Sequence, residues 1–233
     1  NALSPMMIRE LSESFDELKE DPNTKVLIIS AKGKSFCAGG DLDWMKEQIF
    51  SDRKTRIEEA RKLADLLYKM YQFPKPLIAK VEGNAFGGGI GIISVCDVAI
   101  SIENIKLALT EAKLGLIPAT ISPYVISKVG SSNGIDLFTS ARTFYPPEAK
   151  NIGLIKSFCN EESIDNIINE EVDSILINGP SAVTASKNLV RNLSSKIDEN
   201  TIKFTVEALA DVWENPESIE GINAFFEKRK PNW

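Results

Sequence analysis

Gly87-Gly88-Gly89 lie between an apolar run and an apolar helix-forming segment. Backbone without Cβ atoms turns sharply there and lets a ligand come close. A helix starting at this point presents unpaired N–H groups and a positive dipole end, which suits an oxyanion or a phosphate. The stretch is not a phosphate-binding Walker loop: Gly83 and Gly88 have the spacing, but Gly89-Ile90 occupy the Lys and Ser/Thr positions. It is not the dinucleotide fingerprint either, because Ile92 stands where a third glycine is required. A second small-residue loop, Ala38-Gly39-Gly40-Asp41, follows another apolar run. Two such loops after two strands could supply two converging N–H donors. Each taken alone also reads as an ordinary tight turn.

Glu111 is the third candidate. It follows the apolar Leu107-Ala108-Leu109 and precedes Ala112-Lys113-Leu114-Gly115, which places it at a strand end. A partly buried glutamate has its pKa raised and serves as acid or base near neutrality. The competing account is an ion pair with Lys113 or a helix cap. Histidine is absent, which removes Ser-His and Cys-His nucleophiles, His-ligated zinc and imidazole bases. With Cys37, Cys96 and Cys159 far apart, no metal site is expected, and the odd number points to reduced thiols.

The elements that must position these residues follow from periodicity. Ser4-Pro5 opens a capped amphipathic helix carrying Met7, Leu11, Phe15 and Leu18. Strands are expected at 26–30, 77–81, 98–102, 107–109 and 155–158, and helices at 55–72 and from Gly88 to about Cys96. Residues 32–40 read as a loop and 43–51 as a mixed polar segment. The remainder is mostly helical: 118–129, 132–140, 147–152, 163–177, 181–195, 200–213 and 217–228. Strands alternating with helices imply an α/β layered core over 1–145, followed by a helical region over 146–233.

Composition sets outer bounds. The 233 residues are 43% apolar with a net charge of −6, which argues against nucleic-acid binding. No apolar run reaches the roughly 18 residues of a membrane span, and no signal-peptide pattern is visible, so the cytoplasm is the expected compartment. Lys34, Lys54, Arg56, Arg61 and Lys62 form a modest basic cluster, read either as a solvated face or as a funnel for phosphates.

The motifs taken in order resemble the crotonase (enoyl-CoA hydratase/isomerase) superfamily. The likeness runs through Ser35–Leu42, Pro74–Gly89, Cys96–Ile100, Glu111–Pro118 and Pro147–Ile155, and ends at Glu220–Pro231. It covers essentially the whole chain; Asn1–Ser4 resembles the stretch after the family's first strand pair, so that opening hairpin is expected to be missing. The resemblance implies a spiral of β-β-α turns with a helical C-terminal region that forms trimers, often paired into hexamers. It assigns the two backbone donors that polarise a thioester carbonyl to Ala38 and Gly88, and proton chemistry to Glu111. The loop Ala38, Gly39, Gly40 and Asp41 is expected against coenzyme A, with Phe225 and Lys228 near its phosphates. Coenzyme A is then part of the substrate, and no separate cofactor is implied.

One departure bears on the reaction. Hydratases of this family carry a second glutamate where this sequence has Gly91. Two readings follow: a specialised hydratase, or a Δ3,Δ2-enoyl-CoA isomerase shuttling a proton on one glutamate. A non-catalytic thioester-binding or assembly protein is a third. The segments Ala85–Gly91 and Lys113–Val125 look like bacterial methylglutaconyl-CoA hydratases, which implies a branched, acidic enoyl-CoA and a Lys or Arg near the acyl end. Trp44, Met45 and Phe50 are candidates for the acyl pocket, whereas Tyr68 reads as core.

Overall fold

A computed structural model describes residues 1–194 and 196–233. Helix α1 (Pro5–Glu20) starts where Ser4 accepts a hydrogen bond from the Met7 N–H and Pro5 takes the first helical position. Strands β1 (Leu27–Ile29) and β2 (Ser35–Cys37) are followed by α2 (Leu42–Phe50), α3 (Arg53–Tyr71), β3 (Leu77–Val81), β4 (Asn84–Phe86) and α4 (Gly88–Val95). Next come β5 (Val98–Ile102), β6 (Leu107–Ala108), a 3₁₀ turn (Glu111–Leu114), α5 (Ser122–Ser140), β7 (Thr143–Phe144), α6 (Pro146–Asn151) and β8 (Ser157–Cys159). Helices α7 (Ile164–Leu176), α8 (Pro180–Leu193), α9 (Glu199–Trp213) and α10 (Pro216–Phe226) complete the chain.

The strands divide between two sheets, ordered β1-β3-β5-β8 and β2-β4-β6-β7. Successive strands alternate between them: β1 then β2, β3 then β4, β5 then β6, with helices or turns after each pair. That alternation is the β-β-α spiral. All pairings are parallel except β6 with β7. Parallel strands need both faces covered, and β3 accordingly buries Leu77, Ile78, Ala79 and Val81. Helix α4 is buried from Gly89 to Val95, matching its wholly apolar sequence.

Two expectations are corrected. The loop expected at 32–40 contains β2, and the segment expected as mixed and polar at 43–51 is α2, capped by Asp41, whose carboxylate accepts from the Asp43 and Trp44 N–H groups. Helix α5 breaks at Gly130 (φ 75°, ψ 164°), which accounts for two helical periods in the sequence there. Beyond residue 146, β8 pairs with β5, and α9 lies on α3 through Ala60, Ala64, Ile202 and Val206.

Candidate active site

Strands β2, β4 and β6 lie side by side and run parallel, so their C-terminal ends share one edge of the sheet. Those three ends deliver the three sequence candidates. After β2 comes the Ala38–Gly40 loop, after β4 the glycine turn, and after β6 Thr110 and Glu111. All of them line one cavity of about 420 Å³. The loops touch: a Cβ at Gly89 would lie 2.8 Å from the Cβ of Cys37, and one at Gly87 would lie 2.9 Å from Oε1 of Glu111. Gly87 also has φ of +50°. Only glycine fits directly beneath that carboxyl group.

Glu111 is half-buried as a residue, yet its Oε2 is buried with no hydrogen-bond partner among the described residues. Burial pushes its pKa up to about 7, opposed only by its own backbone N–H. Among the described residues its carboxylate forms no ion pair, with Lys113 or any other cation. A carboxyl group left unsatisfied inside a cavity, poised between its two protonation states at neutral pH, is suited to take and return a proton.

The backbone donors are distributed differently from the sequence expectation. The Ala38 N–H donates to the Asn1 carbonyl at 2.8 Å, while Leu3 N–H donates to Gly39 O and Asp41 N–H to Leu3 O. Residues 1–3 thus run along the loop and occupy the Ala38 donor. The N–H groups of Gly40 and Gly88 have no hydrogen-bond acceptor among the described residues, and both residues line the cavity. Gly88 is the first residue of α4, where an N–H has no partner within its own helix. Ala38 therefore lines the site with its N–H engaged, whereas Gly40 and Gly88 line it with theirs unengaged.

The cavity walls come from Trp44 and Met45 of α2, Leu63 of α3, Leu116, and Leu209 and Trp213 of α9. Phe225 lines it as well, half in solvent. Asp41 is spent on the α2 cap, and Lys228 lies exposed just past α10; neither lines the cavity. Phe50 points to solvent, 89% exposed, and Tyr68 packs against the α3–α9 contact. The basic cluster dissolves into separate tasks. Arg56 donates to Gln48, Ile49 and Trp213 carbonyls, and Arg61 pairs with Asp65 and Glu199. Sequence reasoning missed Glu59, a second carboxylate in the cavity lining. Its Oε2 accepts from Trp44 Nε1 at 3.3 Å, and Lys62 pairs with it from outside. Nothing local in the sequence marks it.

The family described as enoyl-CoA hydratase/isomerase matches the chain over residues 1–233. The chain belongs to the enoyl-CoA hydratase/isomerase family. It is an enzyme of the crotonase fold. A short-chain-enoyl-CoA hydratase of Clostridium acetobutylicum is 30% identical, with 99% of this chain and 88% of that protein covered. The mitochondrial methylglutaconyl-CoA hydratase of Mus musculus is 31% identical, with 100% and 75% covered. Among solved structures, an enoyl-CoA hydratase from Shewanella pealeana is similar at 37% identity and a TM-score of 0.81, covering 100% of this chain and 87% of that one. One from Mycobacterium avium gives 28% identity and a TM-score of 0.89, covering 100% and 88%.

Two glycine contacts frame the site. A Cβ at Gly91 would lie 2.3 Å from Cγ2 and 2.8 Å from Cβ of Ile121, so α4 and α5 meet where any side chain at 91 would have to go. The 3₁₀ turn carrying Glu111 is clamped from outside by α10. A Cβ at Gly115 would lie 2.4 Å from the Glu217 carbonyl oxygen, and one at Gly221 would lie 2.4 Å from the Leu114 carbonyl carbon. Backbone rests on backbone there, which fixes the base of the Glu111 turn. No helix among the described residues is long and apolar enough to cross a membrane, and no group of three or more potential metal ligands occurs among them.

Proposed function

We propose that this enzyme adds water across the double bond of an enoyl-CoA thioester, with Glu111 as the one proton-transferring side chain. The observation that carries the reading is the buried, unpartnered Glu111 carboxyl in a cavity that also holds the free N–H groups of Gly40 and Gly88. As water adds at Cβ, negative charge develops on the thioester oxygen. Two preorganised N–H donors and the N-terminal end of α4 stabilise that enolate. Glu111 takes the proton of the attacking water and returns it to Cα. Coenzyme A is bound as part of the substrate along the Ala38–Gly40 loop, with Phe225 at the cavity mouth.

Removing one donor tests the oxyanion role. Gly88→Pro deletes the N–H at a position where proline suits the first turn of a helix, and Gly88→Ala, whose Cβ would meet the same Leu3 Cδ1 at 2.5 Å, is the control that keeps the N–H. We expect kcat to fall about 10²–10³-fold. Acyl-CoA binding should stay within a few-fold, and far-UV circular dichroism should be unchanged. An unaltered kcat would remove Gly88 from the mechanism.

For the acyl group we propose a branched, acidic chain of the 3-methylglutaconyl type. The likeness to the mouse protein supports it, and so does a cation in the right place: Lys113 is the one Lys or Arg lining the cavity among the described residues. Lys113→Met should raise KM for 3-methylglutaconyl-CoA about two- to fivefold, the range for an exposed charge pair, and leave crotonyl-CoA nearly unchanged. Equal effects on both substrates would show that Lys113 does not read an acyl carboxylate.

Because Gly91 cannot carry a second carboxylate, a one-glutamate Δ3,Δ2-enoyl-CoA isomerase is the second reading. Loss of enoyl-thioester absorbance with 3-methylglutaconyl-CoA and crotonyl-CoA, beside the conversion of a 3-enoyl-CoA, separates the two. Hydration of the first supports the proposal; conversion of the 3-enoyl substrate without hydration replaces it. Thioester binding with no turnover of any of the three would make the chain a non-catalytic binder. We also propose a homotrimer or a hexamer, supported by apolar side chains exposed on the C-terminal helices: Val190 (65%), Leu193 (80%) and Phe204 (71%).

A further inference from the structure

Helix α2 contributes Leu42, Trp44 and Met45 to the wall of the Glu111 cavity, yet it buries only Met45 and Gln48. Nine residues with so small an apolar face are marginal alone and depend on their neighbours. One face of α3 supplies the supports, since Arg56, Glu59, Ala60 and Leu63 follow helical spacing. Arg56 donates to the Gln48 carbonyl at 2.9 Å and to the Ile49 carbonyl at 3.1 Å, which satisfies two acceptors at the C-terminal end of α2. Glu59, one turn further along α3, accepts from Trp44 Nε1 and so engages the first turn of the same helix. Glu59, Ala60 and Leu63 line the cavity as well.

Trp44 links this support to the reacting end of the site. Its main-chain N–H is held by the Asp41 carboxylate at 3.1 Å and its indole by Glu59. A Cβ on Gly40 would lie 4.0 Å from Trp44 Cζ3 and 3.8 Å from Met45 Cγ, so both side chains pack on the loop residue whose N–H is unengaged. An indole has one donor and no acceptor, and its orientation follows where that one proton goes. A merely solvated carboxylate would pair with Lys62 and stop there. Lys62 takes Oε1, but Oε2 accepts from the indole, and the Glu59 side chain is only 19% exposed.

We propose that Glu59 is a positioning residue of this site: it fixes the Trp44 indole against Gly40 and thereby holds the Gly40 N–H where it meets the thioester oxygen. This rests on the reading of Gly40 as a donor to the thioester, and not on which reaction follows. Glu59 touches no reacting atom; it acts through Trp44. A loop shift of roughly 0.5 Å is enough to spoil such a donor. The loss weighs more on the enolate than on the bound substrate, so it falls on kcat and leaves KM nearly alone.

Two measurements on the intact protein test it. The first is the infrared C=O stretch of bound, saturating butyryl-CoA, whose acyl chain has no double bond to hydrate. A donor at the oxygen lowers that frequency below the value for free butyryl-CoA. We expect the lowered frequency in wild type and in Glu59→Gln, whose amide oxygen still accepts from the indole, and a shift back toward the free value in Glu59→Leu. The second is kcat with the enoyl-CoA that wild type turns over best. It should be about tenfold lower in Glu59→Leu and within about threefold of wild type in Glu59→Gln, with KM changed less than about twofold. In a Trp44→Phe background, which has no indole N–H to hold, Glu59→Leu should move neither reading further, because two residues acting through one bond are not additive. Three results would overturn the proposal and leave Glu59 as a support of the fold: no lowering of the frequency in wild type, an equal effect of Glu59→Leu with and without the Trp44 indole, or a lower Tm in Glu59→Leu with frequency and kcat unchanged. A wild type that hydrates nothing but lowers the frequency would remove the hydratase reading, and the Glu59 dependence of the frequency would still decide this one.

Discussion

Replacing Glu111 by glutamine should lower kcat for hydration about 10³–10⁴-fold and, above neutral pH, make the protein more stable. The first effect follows from one side chain handling both proton transfers, since general acid–base catalysis contributes on this scale. The amide would keep the shape of the carboxyl group and lose its ability to carry the proton. The second follows from where the carboxyl sits. Its folded pKa of about 7 lies above the ordinary value of 4.5, so the folded state holds its proton more tightly than the unfolded chain. Stability from this group is fully present below pH 4.5, declines as pH rises, and is gone above about 7. The difference of about 2.5 units corresponds to about 3 kcal/mol. Wild type and Glu111→Gln should therefore unfold alike at pH 4. At pH 8 the variant should melt several degrees higher. Urea or thermal unfolding at both pH values checks this. A variant that is inactive and also destabilised at pH 8 would mean that Glu111 holds the turn rather than doing chemistry.

Gly91→Glu should cost the fold about 3 kcal/mol or more and restore nothing to the reaction. It puts a carboxylate where the family resemblance implies a second glutamate in hydratases, which makes it the obvious gain-of-function design. Here the new Cβ alone would lie 2.3 Å from Ile121 Cγ2. Overpacking of this kind costs about 1–3 kcal/mol, and a buried charge without a partner adds to it. Gly91→Ala separates the terms. Alanine gains about 1 kcal/mol in helix propensity but meets the same contact, so net destabilisation of about 1–2 kcal/mol is expected. Ile121→Ala alone should cost about 2–5 kcal/mol because it empties a buried core position, and since it also removes the Cγ2 contact, the double variant should lose less than the sum of the two single losses; the 2.8 Å approach of the Cβ atoms remains. Urea unfolding of the four variants measures each step. A stable, fully active Gly91→Glu would show that α4 and α5 yield more readily than their packing implies.

Much of this site could be read from residue order. The glycine turn, the Ala38–Gly40 loop and Glu111 each lay next to an apolar run. The fold brings them together because β2, β4 and β6 are parallel neighbours. What escaped was short or non-local. β2 and β4 have three residues each, too few for a period to register. Helix α2 presents only a weak apolar stripe, and its cap, Asp41, reads in the sequence as part of the small-residue loop. The choice between the Ala38 and Gly40 donors depends on the Asn1 carbonyl, a partner 37 residues away in sequence that local pattern cannot reveal. The inward turn of Glu59 depends on Trp44, and the clamp of Gly221 on Leu114 on how α10 folds back. Glycines with negative φ, like Gly91, look permissive in a sequence. The neighbour that forbids a side chain there is visible only in the packing.

A single buried carboxyl, Glu111, is central to the proposed proton chemistry. The most direct test is the pH dependence of kcat/KM for hydration of the best enoyl-CoA substrate, from pH 5 to 9. Because the ionised form must accept the water proton, kcat/KM should rise tenfold per unit on the acidic side and level off above an apparent pKa of about 7. A profile flat down to pH 5 would contradict the account, since it would place the working base on a group that ionises as an ordinary exposed carboxylate does.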